Sequence, residues 1–188
     1  MKKDNILKHI PNMLTLTNMM LGLAAVLFLL QANHPHKPVI VVSLILLGGI
    51  TDFFDGFLAR ALGASTEIGK QLDSFADLIT FGVAPVSLVN YLGYWGHSWL
   101  VLLSSLFFVA AGAYRLARYN LRDFSNYFMG LPIPAAGIVL AVYGGAVLPW
   151  MLVEWPGLGQ LVTVVVLVGL SVMMVSRVRV KRLGVKRG

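Results

Sequence analysis

The sequence predicts an all-α integral membrane protein with six transmembrane helices and both termini in the cytoplasm. Three observations predict it. The chain is 57% hydrophobic and only 12% charged over 188 residues, more apolar sequence than a soluble domain of this length can use. Its apolar residues gather in six stretches, at about 13–30, 38–60, 70–93, 99–117, 133–150 and 157–176. Each stretch is near the ~20 residues that a helix needs to cross the hydrocarbon. Of the 15 Lys and Arg residues, only Lys37 falls on the side opposite the termini, and cationic loops stay cytoplasmic. Short strands of alternating apolar and polar residues are missing, which argues against a β-barrel. The whole of 1–188 reads as a single membrane domain.

The same features narrow the function. The net charge of +7 follows from topology and from contact with anionic headgroups. No basic soluble domain or aromatic platform accompanies it, so nucleic acid is not an expected partner. With no cysteine, disulfides and thiolate metal sites are excluded.

Along the chain, residues 1–12 read either as a short N-terminal interfacial segment or as a frayed basic tail. Ile6, Leu7 and Ile10 fall on one helical face between lysines, as in a helix lying on the cytoplasmic surface. Pro11 is placed to begin the first span. Asn12, Thr15 and Asn18 follow as polar points near its cytoplasmic end, a position where such side chains more often join helices than bind substrate. His34 and His36 sit in an outward turn with Pro35 and Pro38, and no carboxylate nearby completes a metal site. The outward loop GYWGHSW carries interface aromatics and a solvated His97. Arg115 and Arg118 share a face at the cytoplasmic end of the fourth span. They suit either lipid phosphates or a bound phosphate or carboxylate. NYFMGLPIPAAG, with Pro132 and Pro134, returns the chain to the membrane, and RVRVKRLGVKRG reads as a solvated basic tail.

The second and third spans carry the chemistry. The stretch 51–85 holds five of the eight acidic residues, with Glu67 in the linker. Asp52, Asp55, Gly56 and Ala59 are spaced to share one helix face, and Gly69, Asp73 and Asp77 another. Two helices joined by a short linker pack antiparallel, so these faces oppose each other, with glycines allowing close approach. An ionised Asp in a bilayer costs about 2.5–3.5 kcal/mol, and four together repel one another. Oxygen-only ligands then favour a hard divalent cation such as Mg²⁺, Mn²⁺ or Ca²⁺. The plainer alternative satisfies the carboxylates with Arg60, Lys70 and water.

The pattern Asp52-x2-Asp55-Gly56-x2-Ala59-Arg60-x8-Gly69-x3-Asp73-x3-Asp77 resembles the signature of the CDP-alcohol phosphatidyltransferase family, with eight defined positions in 26 residues. The resemblance implies two divalent cations, Mg²⁺ or Mn²⁺, held by Asp52, Asp55, Asp73 and Asp77. It makes Asp77 the general base as well. It also puts Gly56, Ala59 and Arg60 against the CDP moiety, with Asn12 a further candidate there. The segments IPNMLTLTNMMLG, LDSFADLITFGVAP, YRLARYN and GLPIPAAG are similar to the phosphatidylserine synthases within the family. The implied substrates are CDP-diacylglycerol and L-serine, with Arg115 or Arg118 on the serine carboxylate. Direct attack is expected, because no Ser–His pair or His phosphoryl carrier stands in the stretch. The resemblance further implies a homodimer among membrane lipids in the cell membrane, with its site facing the cytoplasm. Two rivals remain. One keeps the chemistry but uses glycerol 3-phosphate or inositol phosphate as acceptor. The other is a divalent-cation transporter, which gives Gly56, Ala59 and Arg60 no role.

Overall fold

The computed structural model describes residues 10–31, 34–93, 98–121, 127–176 and 179–181. Six helices in it are long and apolar enough to span a membrane: α1 (Ile10–Leu30), α2 (Lys37–Ala61), α3 (Glu67–Gly93), α4 (Trp99–Asn120), α5 (Ile133–Glu154) and α6 (Pro156–Val175). All six expected spans are present, most of them longer than their apolar runs. Pro11 and Asn12 belong to the first turn of α1, and the rest of the expected surface segment lies outside the described residues, apart from Ile10. Trp95 and His97 also lie outside them.

Large side chains such as Leu47, Phe53, Leu103, Phe107, Leu161 and Val172 are exposed along the flanks. In water they would form an aggregating surface; on spanning helices they meet acyl chains. The core lies between helices, where Phe81, Leu88, Phe108, Ile133, Leu140 and Leu167 are fully buried. Central to it is α3, whose Thr80, Phe81, Gly82, Ala84 and Pro85 are all buried.

Two helices change register near their middles. Leu78–Val83 in α3 and Tyr143–Val147 in α5 are π-helical, with the Ala84 N–H on the Ile79 carbonyl and the Leu148 N–H on the Tyr143 carbonyl. Each segment ends two residues before a proline, Pro85 or Pro149. A proline inside a helix removes one donor, and a local π turn is a common accommodation in membrane helices. The backbone of the α3 π turn is then approached closely. A Cβ on Gly137 of α5 would collide with the Phe81 carbonyl, and one on Gly22 of α1 with Thr80.

The turn from α2 into α3 is fixed locally. Gly63 takes a left-handed φ of 57°. The Gly63 N–H donates to the Arg60 carbonyl and the Ala64 N–H to the Ala59 carbonyl, the Schellman arrangement that closes a helix C-terminus. The Thr66 hydroxyl then caps α3 by accepting the Gly69 N–H at 3.0 Å. Glu67, expected in the linker, is instead the first residue of α3. Its acidic side chain suits the positive end of that helix.

Two further departures from expectation concern the ends of helices. Tyr127–Met129 (β1) pairs antiparallel with Arg179–Lys181 (β2), Phe128 facing Val180. This ribbon replaces part of the expected basic tail. Lys37, expected only as a loop cation, is 1% exposed. Its Nζ donates to the Leu29 and Gln31 carbonyls at 3.0 and 2.7 Å and lies 4.7 Å from the Tyr91 ring centre. It therefore satisfies the open carbonyls at the C-terminus of α1.

Candidate active site

The opposed acidic faces meet as their spacing requires. One carboxylate oxygen each from Asp52, Asp55 and Asp73 lies within 4.8 Å of the others. Asp77, one turn deeper on α3, is buried, and its carboxyl is in contact with that of Asp52. Its Oδ1 has no hydrogen-bond partner among the described residues. Three oxygens gathered this closely could hold one small divalent ion, whose oxygen ligands lie about 2.0–2.6 Å from it. The donor set is carboxylate only and crowded with like charge, so it fits a hard cation and suits no soft one.

The helices approach each other differently from the sequence expectation. At the level of the carboxylates α1 packs against both α2 and the first turns of α3. Gly69 is pressed against the Asn12 side chain of α1, whose Oδ1 would lie 2.8 Å from a Cβ there. A Cβ on Gly56 would instead meet only the Arg60 guanidinium, at 3.5 Å. Of the two motif glycines, Gly69 therefore seats α1 and Gly56 leaves space. That space is a cleft of about 430 Å³ lined by Asn12, Thr15, Asp55, Gly56, Ala59, Arg60, Ser65, Thr66, Lys70 and Asp73. Every candidate nucleotide contact read from the sequence borders it.

Thr15 emerges as a site residue. Its hydroxyl donates to Asp55 Oδ2 at 2.7 Å, with the Pro11 carbonyl at 3.1 Å as the alternative acceptor. A threonine on the first span carries no motif, and only its position one turn past Asn12 hints at the site. Ser65, Thr66 and Lys70 join the cleft wall because the Schellman turn folds the linker over it. Partners that orient a metal-ligating group typically affect affinity by about 10–100-fold. Thr15→Val should accordingly raise the half-saturating divalent-ion concentration at least about tenfold, measured by titrating activity with Mg²⁺. An unchanged titration would remove Thr15 from the site.

The two arginines diverge. Arg115 is buried, lies 4.6 Å from the Tyr119 ring centre and feels the Asp77 charge. Its Nε has no partner among the described residues. Arg118 turns toward α6, where its Nη1 donates to the Val175 carbonyl at 3.2 Å. His34 and His36 stack edge to face in an exposed turn, away from this cluster.

Comparison with known proteins agrees with this geometry. The CDP-diacylglycerol–serine O-phosphatidyltransferase of Bacillus subtilis is 35% identical over 174 residues, 92% of this chain and 90% of the relative. That of Methanocaldococcus jannaschii is 38% identical over 131 residues, 70% of this chain and 58% of the relative. The Saccharomyces cerevisiae protein of the same name is 37% identical over 139 residues, 67% of this chain and 50% of the relative. The chain thus spans most of the bacterial relative and about half of the other two. The family profile for CDP-alcohol phosphatidyltransferase matches residues 8–176, from before the first described turn of α1 to just past the end of α6 and across the whole carboxylate cluster. With both the fold and the acidic cleft inside that match, this chain belongs to the CDP-alcohol phosphatidyltransferase family.

Proposed function

We propose that this protein transfers the phosphatidyl group of CDP-diacylglycerol to L-serine, giving phosphatidylserine and CMP, at the cytoplasmic face of the cell membrane. The observation that carries the reading is the Asp52, Asp55 and Asp73 cluster opening into a cleft walled by Gly56, Ala59 and Arg60. The names of the similar proteins support serine as acceptor. The cation bias of the loops supports a cytoplasmic site and cytoplasmic termini.

Two divalent cations, Mg²⁺ or Mn²⁺, held by Asp52, Asp55, Asp73 and Asp77, would supply neutralisation of the pyrophosphate and of the departing CMP. The chain's own groups do the rest. Gly56 and Ala59 leave room for the nucleotide, Asn12 closes the cleft on the α1 side, and Arg60 offers its guanidinium to phosphate oxygens. Asp77 takes the proton of the serine hydroxyl as its oxygen bonds to the lipid-bearing phosphorus and the bond to CMP breaks. Burial one turn deeper than Asp73, outside the cleft lining, keeps that carboxyl from bulk water. Arg115, which feels the Asp77 charge and whose Nε has no partner among the described residues, would hold the serine carboxylate. Arg118 is the second candidate: its Nη1 is on the Val175 carbonyl, while its Nε and Nη2 have no partner among the described residues. The small residues on several spans support a homodimer surrounded by membrane lipids.

An acceptor screen tests the reading. Purified protein with CDP-diacylglycerol should release CMP with serine, and not with glycerol 3-phosphate or inositol phosphate, and a chelator should stop it. CMP release with a different acceptor alone overturns serine. Metal flux in liposomes without CMP release from any CDP-lipid overturns the transferase. Arg115→Ala removes charge-assisted hydrogen bonds worth about 1.5–3 kcal/mol, or roughly 10–100-fold. The KM for serine should rise by that factor while the KM for CDP-diacylglycerol stays nearly constant. Equal effects on both would deny Arg115 a serine-specific role.

A further inference from the structure

Beneath the carboxylates lies a buried amide that the chemistry above does not use. Asn18 of α1 is 0% exposed, and neither its Oδ1 nor its Nδ2 has a hydrogen-bond partner among the described residues. Leaving such a group unsatisfied incurs its full desolvation penalty, and native proteins rarely do so without a reason. An apolar residue would have served helix packing at no such cost.

The surroundings of Asn18 supply the reason. Its backbone carbonyl accepts the Thr80 hydroxyl at 2.9 Å. A Cβ on Gly48 of α2 would lie 2.9 Å from Asn18 Oδ1 and 2.6 Å from Thr80 Cγ2. Thr80 stands nearly one turn past Asp77 on α3, and Gly48 one turn before Asp52 on α2. Asn18 therefore sits directly under the Asp52–Asp77 contact, against both helices that carry it. Asp77 Oδ1 is buried and unpartnered as well. Two orphaned polar atoms on the Asn18 amide, which packs against Thr80, and one on Asp77, three residues before Thr80 on α3, thus lie on adjoining turns. A single water there would find the two to four polar partners that a buried water needs.

We propose that Asn18 is a positioning residue for the transfer reaction: its amide, through one buried water, holds the Asp77 carboxyl in the orientation that receives the acceptor's proton. The donor is Nδ2 and the acceptor Asp77 Oδ1, with the Thr80 hydroxyl oxygen as a further acceptor. Gly22 and Gly48 make this possible, since a side chain at either position would displace Thr80. Asn18 touches no substrate, so its loss acts on turnover and leaves binding alone. The proposal rests on Asp77 being the proton acceptor.

The test uses the full-length purified protein. Each variant is compared with the parent chain in CMP release, using whichever acceptor supports most turnover in the parent. A wrong acceptor then overturns the functional reading without touching the comparison. Asn18→Leu and Asn18→Ala remove the amide with opposite errors in volume. Both should lower kcat by about 10–100-fold, the range for partners that orient a reacting group, with the KM values of both substrates unchanged. Asn18→Ser, which keeps a donor and admits a second water, should recover most of the lost kcat. In an Asp77→Asn background, Asn18→Leu should cause no further loss, because residues acting as one unit are not additive. Parent-like kcat in both Asn18→Leu and Asn18→Ala, a KM effect alone, or a full additional loss in the Asp77→Asn background would each overturn the proposal.

Discussion

CMP release by Asp73→Asn is expected to fall about 10³-fold, the effect of losing several kcal/mol of transition-state charge stabilisation. The substitution changes one oxygen to an amide nitrogen and leaves side-chain volume almost unaltered, so packing is not the cause. What changes is charge. Asp73 supplies one of three oxygens gathered within 4.8 Å, on the helix opposite Asp52 and Asp55. Without it, the remaining carboxylates of the triad come from α2 alone, and only the deeper Asp77 is left to face them from α3. A second readout separates this from misfolding. The metal-free variant carries less like-charge repulsion than the parent, so its melting temperature should match or exceed the parent's. The rise in melting temperature that Mg²⁺ gives the parent by selective binding to the folded state should shrink or vanish. Parent-like turnover in Asp73→Asn would remove the cluster from the reaction.

Asp77→Asn is expected to lower kcat by about 10²–10⁴, the usual contribution of a general base. The site of the loss differs from that of Asp73. Asp77 lies one turn deeper, buried, and does not line the cleft that admits the nucleotide. The KM for CDP-diacylglycerol should therefore change little. An amide in its place keeps the contact with Asp52 and cannot take a proton from the acceptor hydroxyl. A large KM effect with kcat preserved would show that Asp77 serves binding and that the base lies elsewhere.

Much of this was legible from the residues, for definable reasons. Apolar runs near 20 residues have few alternatives, so all six spans appear, and α2 and α6 end within one residue of expectation. A helix face is fixed by spacing alone, so Asp52, Asp55 and Asp73 converge as read. What the spacing does not encode is the neighbour across the face. The Gly69 backbone is approached by Asn12 of α1, and Gly56 faces open space, although the two glycines look alike in the sequence. Thr15 and Asn18 read as helix-joining polar residues, because their partners lie about 40 and 60 positions away. The ribbon of β1 and β2 was missed although Arg-Val-Arg-Val-Lys alternates, since a three-residue strand has no signal without its partner. Lys37 shows the limit of counting charges: the count places it outside, and only coordinates reveal the carbonyls around its Nζ.

The wide turn ahead of Pro85 bears on how the chain tolerates lengthening and shortening. A π turn holds one residue more than the same stretch of α-helix would. Deleting any single residue between Leu78 and Val83 would restore ordinary winding there. The faces on either side would stay nearly in register, because the wide turn already absorbs the extra residue; a deletion in the ordinary winding beyond Val83 would instead swing everything on the carboxylate side by about 100° relative to the outer half and draw it in by about 1.5 Å. Asp73 and Asp77 would then point at different neighbours, with no side chain in the cleft exchanged. The alignment of the two acidic faces is thus stored as a residue tally in the bilayer's interior, remote from the chemistry it governs.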